Sequence, residues 1–188
     1  MREKINFYFF LTLLFISCST GSYSSLEESE LRSGIRYDSL FLGVKFGMTS
    51  SDFYSHCWDL NKKKLVSQGP SNNSVRYMIP TESIGQNIEM LFYPVFNKDT
   101  VYEVNSTYSY TAWAPWNEGT SSDFLMDEVK NILEDWYSSD FLSIENPKND
   151  DVLFVTVNGN RRITLTEISD REVRARFTDL SVEKKLKK

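Results

Sequence analysis

Twelve consecutive residues, 99–110 (DTVYEVNSTYSY), alternate clearly. On a strand, successive side chains point to opposite faces, so Val101, Glu103, Asn105, Thr107 and Ser109 share one side. Tyr102, Val104, Ser106, Tyr108 and Tyr110 share the other. A helical period would scatter these residues around the axis. The run therefore predicts a strand with two different faces. That in turn calls for an antiparallel sheet covered on one side and left wet, or free for a partner, on the other.

The rest of the chain supplies the elements for such a sheet. Residues 39–46 (SLFLGVKF) suit a first strand or an extended segment. Gly47-Met48 leads into Thr49-Ser50-Ser51-Asp52, a Thr cap with an acidic residue three positions on, which satisfies free amides at a helix start. Phe53, Cys57 and Leu60 then recur at i, i+4 and i+7, with Tyr54 and Trp58 beside them, until Lys62-Lys63-Lys64 and Gly69-Pro70 stop the helix. Residues 74–79 and 87–96 precede the alternating run as strands, with Asn97-Lys98-Asp99 as a turn and Pro94 marking an edge or a bulge. Beyond the loop 111–119, Ser121 or Ser122 caps a second helix with Leu125, Val129, Ile132, Leu133 and Trp136 as its apolar stripe. A polar stretch, 146–150, separates it from strands at 151–157, 162–168 and 172–180, joined by tight turns at Asn158-Gly159 and Ser169-Asp170.

The order predicts an α+β domain: an antiparallel sheet with two helices packed on one face, arranged as αβββ–αβββ. One domain spans 39–182, its halves meeting near residues 115 and 116, with a frayed basic tail at 183–188. The pentapeptide TSSDF opens both predicted helices, at 49–53 and 120–124, 71 residues apart. It is either the trace of a duplicated unit or the same capping chemistry used twice.

Composition narrows the function. The 188 residues are 40% hydrophobic and 14% aromatic, which excludes a disordered chain. A net charge of −5 offers no general basic field for nucleic acid. One histidine and two cysteines make neither a multi-histidine metal site nor a disulfide framework, and no cofactor or metal is predicted.

The N-terminus carries an address. Arg2, Glu3 and Lys4 precede the apolar residues 5–16 (INFYFFLTLLFI), followed by Ser17 and Cys18. As a helix that apolar stretch reaches only ~18 Å, against a hydrocarbon core of roughly 30 Å, so it reads as a secretory signal rather than an anchor. The join Phe15-Ile16-Ser17-Cys18 resembles the lipobox of bacterial lipoproteins, with Phe15 where that family usually has Leu, Val or Ile. The resemblance implies cleavage before Cys18, a diacylglycerol on its sulfur and an acyl chain, such as palmitate, on its new amino group. Two or more chains anchor stably where one does not. Residues 1–17 are then a signal peptide, and 18–38 form a Ser-rich flexible tether. The −5 charge becomes −6 once Arg2, Glu3 and Lys4, net +1, are removed. The expected place is the bacterial cell envelope, at the outer membrane or facing the periplasm, with membrane lipid as a partner through Cys18. The layout with Gly47-Met48-Thr49 is similar to small lipoproteins of outer-membrane assembly and to tandem-repeat inhibitors of β-lactamases. Residues 42–77 also resemble uncharacterised bacterial lipoproteins.

No catalytic residue is predicted. The chain has no phosphate loop, nucleophile elbow, zinc-protease helix, paired-Cys motif or dinucleotide fingerprint. His56 and Cys57 are adjacent and, on a helix, point about 100° apart. Asp123, Asp127 and Glu134 read as a solvated outer face, and Asn158-Gly159-Asn160-Arg161-Arg162 as a hairpin tip with solvent-facing arginines. The candidate binding residues are Tyr108, Tyr110, Trp113 and Trp116, which can form a stacking platform or plug the gap between the halves. The reading is a non-enzymatic binding or structural module meeting an envelope protein or a glycan. The alternatives are an inhibitor, a hydrolase-type enzyme with carboxylates assembled by folding, or a carbohydrate-binding module.

Overall fold

The computed structural model describes residues 19–70, 74–81, 86–145 and 152–187. The leader, Cys18 and the polar stretch 146–150 lie outside the described residues. Within them the elements run α1 (Ser19–Ser33), α2 (Ser50–Lys62), β1 (Val66–Gln68), β2 (Val75–Ile79), β3 (Ile88–Asn97) and β4 (Thr100–Tyr110). A short 3-10 turn (Glu118–Thr120) and α3 (Ser122–Tyr137) follow. The chain continues through β5 (Leu142–Glu145), β6 (Val152–Asn158), β7 (Arg161–Ser169), β8 (Glu172–Asp179) and α4 (Leu180–Leu186). The strands form one antiparallel sheet of eight, in the order β1-β2-β3-β4-β8-β7-β6-β5. The fold is α+β.

The two strands not predicted, β1 and β5, are three and four residues long and lie at the two edges of the sheet. Alternation cannot register over so few positions, and their pairing with β2 and β6 is what defines them.

The alternating run is β4, between β3 and β8 at the centre of the sheet. Val104, Ser106, Tyr108 and Tyr110 are buried, as alternation requires. Val101 should face the other way, yet it too is buried, because the β3–β4 register shifts between Val95 and Phe96. Pro94 sits beside that bulge, past the end of β2, whose pairing stops at Phe92. There its missing N–H leaves no ladder bond unmade.

The core lies on this face. Leu125, Val129 and Leu133 of α3 pack into one cluster with Phe92, Val104, Ile163, Leu165, Ala175 and Phe177 of the sheet, joined by Phe53 of α2. Each such side chain contributes roughly 1.5–3 kcal/mol by leaving water. Trp136, at the margin of the stripe, stays 39% exposed against Phe41.

Residues 39–46 are not a strand. Leu40 N–H donates to Val44, Val44 N–H to Phe41 and Phe46 N–H to Asp38, closing a compact loop with Leu42, Gly43 and Gly47 at positive φ. Phe41 drops edge-on between Phe92, at 4.9 Å, and Phe177, at 5.2 Å. Gly43, at φ +80°, permits the turn that aims Phe41 inward.

Nor are residues 19–33 a tether. They form α1, whose Tyr23, Leu26 and Leu31 pack against Val155, Val157 and Leu180. Val155 and Val157 alternate along β6 with Phe154 and Thr156, so α1 covers the side of the sheet opposite the main core. The Ser-rich composition concealed three apolar residues on one helical face. Ion pairs hold the contact: Glu27 meets Lys184 at 2.9 Å and Arg162 at 3.7 Å. Lys184 and Lys185, expected in a frayed tail, lie in the last turn of α4, which Asp179 caps.

Both predicted helix starts occur, one residue out of step. Thr49 caps α2, its hydroxyl oxygen accepting from Asp52 N–H at 3.1 Å, and Phe53 is fully buried. Thr120 instead closes the 3-10 turn, Ser121 occupies the cap of α3, and Phe124 is 56% exposed while Leu125 is buried. The repeated pentapeptide thus does two different jobs.

Candidate functional site

The four aromatic residues expected to cooperate are separated. Tyr108 is fully buried and Tyr110 nearly so, both in the core. Burial pushes both phenols well above their ordinary value, and the Glu128 carboxylate accepting from the Tyr110 hydroxyl at 2.9 Å adds to the rise. Trp113 lies half-buried under the Arg171 guanidinium, 5.7 Å from the ring centre. Trp116 projects into solvent at 86% exposure. Tyr108 and Tyr110 turn inward with Val104, which corrects the reading of them as binding residues, and they form no platform with the loop tryptophans.

The other motifs also resolve. His56 Nε2 is bonded to the Leu42 carbonyl at 2.6 Å, bracing the 39–46 loop against α2. Cys57 is half-buried, and burial pushes its thiol up to about 11, so at neutral pH it is protonated and a poor nucleophile. Asp123 and Asp127 face water, whereas Glu134 accepts from Phe141 N–H at 3.2 Å. Among the described residues, no three His, Cys, Asp or Glu side chains are placed to hold a metal ion.

Arg161 and Arg162, expected at a solvated tip, are held inside the structure. Arg161 is 6% exposed, its guanidinium 4.2 Å from the centre of the Tyr137 ring and 5.4 Å from that of Tyr37, and it donates to the Ser39 carbonyl at 3.0 Å. Burial lowers its pKa from the ordinary value. Arg162 lies on the opposite face, donating to Glu183 at 2.9 Å and to Tyr23. Burial works against charge on Glu183 and Glu27. The bonds from Arg162 and Lys187 to one, and from Tyr23 and Lys184 to the other, outweigh it and hold both carboxyls below their ordinary value.

Two concavities stand out among the described residues. The first is a groove of about 390 Å³ between α2 and the β1–β2 edge, lined by Phe53, Tyr54, Cys57, Trp58, Val66 and Tyr93 among others. Trp58 is 65% exposed and Tyr54 50%, and the hydroxyls of Tyr54 and Tyr93 are bonded across the groove. Capping made this site: Thr49 fixes the start of α2, and the i, i+4, i+7 stripe turns Phe53 into the core. Tyr54 and Trp58 are thereby left on the groove side. Their spacing of four was visible in the sequence. The neighbouring strand was not, because β1 is too short to announce itself.

The second concavity, about 320 Å³, lies on the polar face of the sheet and is lined by Tyr23, Leu153, Val155, Arg162, Thr164, Thr166, Arg174 and Arg176. Register aligns it: Thr164 is opposite Arg176 and Thr166 opposite Arg174.

Comparison of the chain with family models, with curated proteins and with solved structures found no match in any of the three. Among the described residues, no helix is long and apolar enough to cross a membrane.

Proposed function

We propose that this chain is a bacterial envelope lipoprotein, anchored through acyl chains on Cys18, whose body is a non-enzymatic binding module. The observation that carries the binding role is the aromatic groove between α2 and β1. It exposes two large, stiff rings, Tyr54 and Trp58, at low entropic cost to a partner. Among the described residues, no Asp or Glu lines either concavity, which favours recognition over carboxylate chemistry. Stacking of a glycan ring on Trp58 is the second reading, supported by that ring's exposure.

Two separate measurements test this. Mass spectrometry of the mature N-terminus should show an acylated Cys18, and Cys18→Ser should leave the protein without acyl chains. An unmodified terminus cut beyond Cys18 overturns the anchor. For the groove, a photo-crosslinking residue at position 58 in the native envelope should give an adduct that Tyr54→Ala abolishes and that the same probe at position 116 does not give. The same adduct from both positions overturns the groove as the binding site.

We also propose that the domain descends from two units, each a helix followed by a four-strand meander, with α2 and α3 on one face. Supporting this, α2-β1-β2-β3-β4 and α3-β5-β6-β7-β8 share one order, and the sheet order reverses about the β4–β8 contact. The buried residues Phe53 and Leu125 suggest an offset of 72 rather than the 71 of the pentapeptide. Superposing residues 50–110 on 122–179 should align α2 on α3, β3 on β7 and β4 on β8 at that offset, and β1 on β5 and β2 on β6 once a few extra residues after α3 are allowed for. Failure of the strands to align would reduce the likeness to shared helix capping.

A further inference from the structure

The polar face of the sheet collects cations on a chain that is otherwise acidic. Arg162, Arg174 and Arg176 project from neighbouring positions of β7 and β8, with Lys184 of α4 and Lys187, the residue after it, beside them. The carboxylates that meet this group are Glu27, Glu103 and Glu183. Glu27 and Glu183 are taken up by Arg162 and the two lysines, and Glu103 lies 3.7 Å from Arg176. Arg174, exposed and at the pocket, has no carboxylate partner among the described residues.

The pocket is also shaped for an anion. Thr164 and Thr166 present hydroxyl donors between the arginines, and the Tyr23 hydroxyl closes one side. Leu153, with the buried Val155 behind it, lines the same concavity on its apolar side. The guanidinium forks of Arg174 and Arg176 with the Thr164 and Thr166 hydroxyls around a small cavity match a phosphate, and the apolar lining matches the glycerol and first methylenes next to it. Tyr23 belongs to α1, which begins at Ser19, immediately after Cys18. Even fully extended, five residues reach only about 18 Å, so an acyl-bearing Cys18 would keep this pocket close to the lipid surface.

We infer that the Arg162–Arg174–Arg176 pocket binds the headgroup of an anionic phospholipid, docking the polar face of the sheet onto the membrane that the anchor enters. The inference rests on the anchoring proposal for its choice of lipid as the source of phosphate. Its test does not need the anchor. The full chain, purified in nonionic detergent whether or not Cys18 is acylated, is titrated with water-soluble dihexanoyl phosphatidylglycerol, dihexanoyl phosphatidylcholine and inorganic phosphate.

The expected result is saturable binding of the glycerol lipid, at least tenfold tighter than either the choline lipid or inorganic phosphate. Arg174→Gln with Arg176→Gln should weaken it at least tenfold at an unchanged melting temperature, and Arg174→Lys with Arg176→Lys should recover most of it. Because Arg174 has no carboxylate to lose, Arg174→Gln alone separates a binding defect from a folding defect. Equal binding of the two lipids, or no effect of the glutamine variants, overturns the inference. Phosphate binding as tightly as the glycerol lipid also overturns it, in favour of a soluble phosphate ligand. An unmodified Cys18 with intact phosphatidylglycerol binding would remove the anchor and leave the pocket.

Discussion

The side-chain oxygen of Asn160 accepts the backbone N–H of Tyr37 at 2.6 Å, tying the β6–β7 turn to the segment that leads out of α1. The same turn donates Gly159 N–H to Glu30 at 2.7 Å, and Asn160 donates its amide to Asp38 at 3.2 Å. Leu180 N–H returns to the Asn160 carbonyl at 2.8 Å, bringing α4 into the junction. A two-residue turn thus joins α1, the 39–46 loop and the C-terminal helix.

Substituting this turn should loosen α1 more than the sheet. Asn160→Ala leaves the Tyr37 amide unpaired and should cost about 1–3 kcal/mol in urea denaturation. Gly159→Ala should cost at least as much, because φ is +54° and a Cβ would meet the Ile35 carbonyl oxygen at 2.3 Å. Hydrogen exchange should quicken across residues 23–39 in both variants. Exchange that quickened in β4 and β8 alone would show that the turn does not hold α1.

Arg161 should behave as a core residue. Arg161→Lys keeps the charge but loses the flat contact with Tyr137 and Tyr37 and the fork that reaches Ser39. A loss of about 1–3 kcal/mol is expected, measured by chemical denaturation. A neutral result would mean that the guanidinium stands in solvent.

Lys64 closes α2 at φ +58°, with its N–H on the Asn61 carbonyl and Leu65 N–H on the Leu60 carbonyl. That is the paired C-terminal bonding usually completed by glycine. Lys64→Gly should stabilise the protein by about 0.5–1 kcal/mol, seen as a higher melting temperature. A lower melting temperature would show that the lysine side chain contributes more than its backbone costs.

Cys57 sets a pH dependence. Its folded thiol titrates near 11, above its unfolded value, so the native state holds its proton longer. The stability this adds is complete below the unfolded value and fades as pH climbs through 9 toward 11. Cys57→Ala should flatten that limb of the stability curve, and native Cys57 should react slowly with iodoacetamide at pH 8. Rapid labelling of folded protein at pH 8 would contradict the burial.

The two loop tryptophans should part company. Trp116→Ala should leave the melting temperature unchanged, since the ring is 86% exposed. Trp113→Ala should cost about 0.5–1 kcal/mol through its stack with Arg171. Equal, large losses from both would show that the indoles plug the core.

Much of the architecture was written in local pattern. Phe53 and Leu60 at helical spacing and Leu125, Val129 and Leu133 on one stripe end up buried, whereas Tyr108 and Tyr110, read as binding residues, are core. Those periods follow from the geometry of one helix or one strand, and a single sequence carries them. The α+β class followed from their order. The groove was half legible, since Tyr54 and Trp58 stand beside the α2 stripe, but nothing local announced β1 across from them.

What escaped the sequence depends on partners far away in the chain. Gly43 broke a predicted strand because Phe41 had a place between Phe92 and Phe177, more than fifty residues off. Ser-rich residues 19–33 became a docked helix because Val155, Val157 and Leu180 waited beneath Tyr23, Leu26 and Leu31. Arg161 and Arg162 read as a solvated pair, yet one-residue alternation sends them to opposite faces, one to tyrosine rings and the other to carboxylates. By itself the sequence determined which residues turn inward along each element, because that is a matter of backbone period. Only the tertiary structure decided what those elements meet, because burial and pairing between distant segments outweigh the weak local preferences of serine, glycine and arginine.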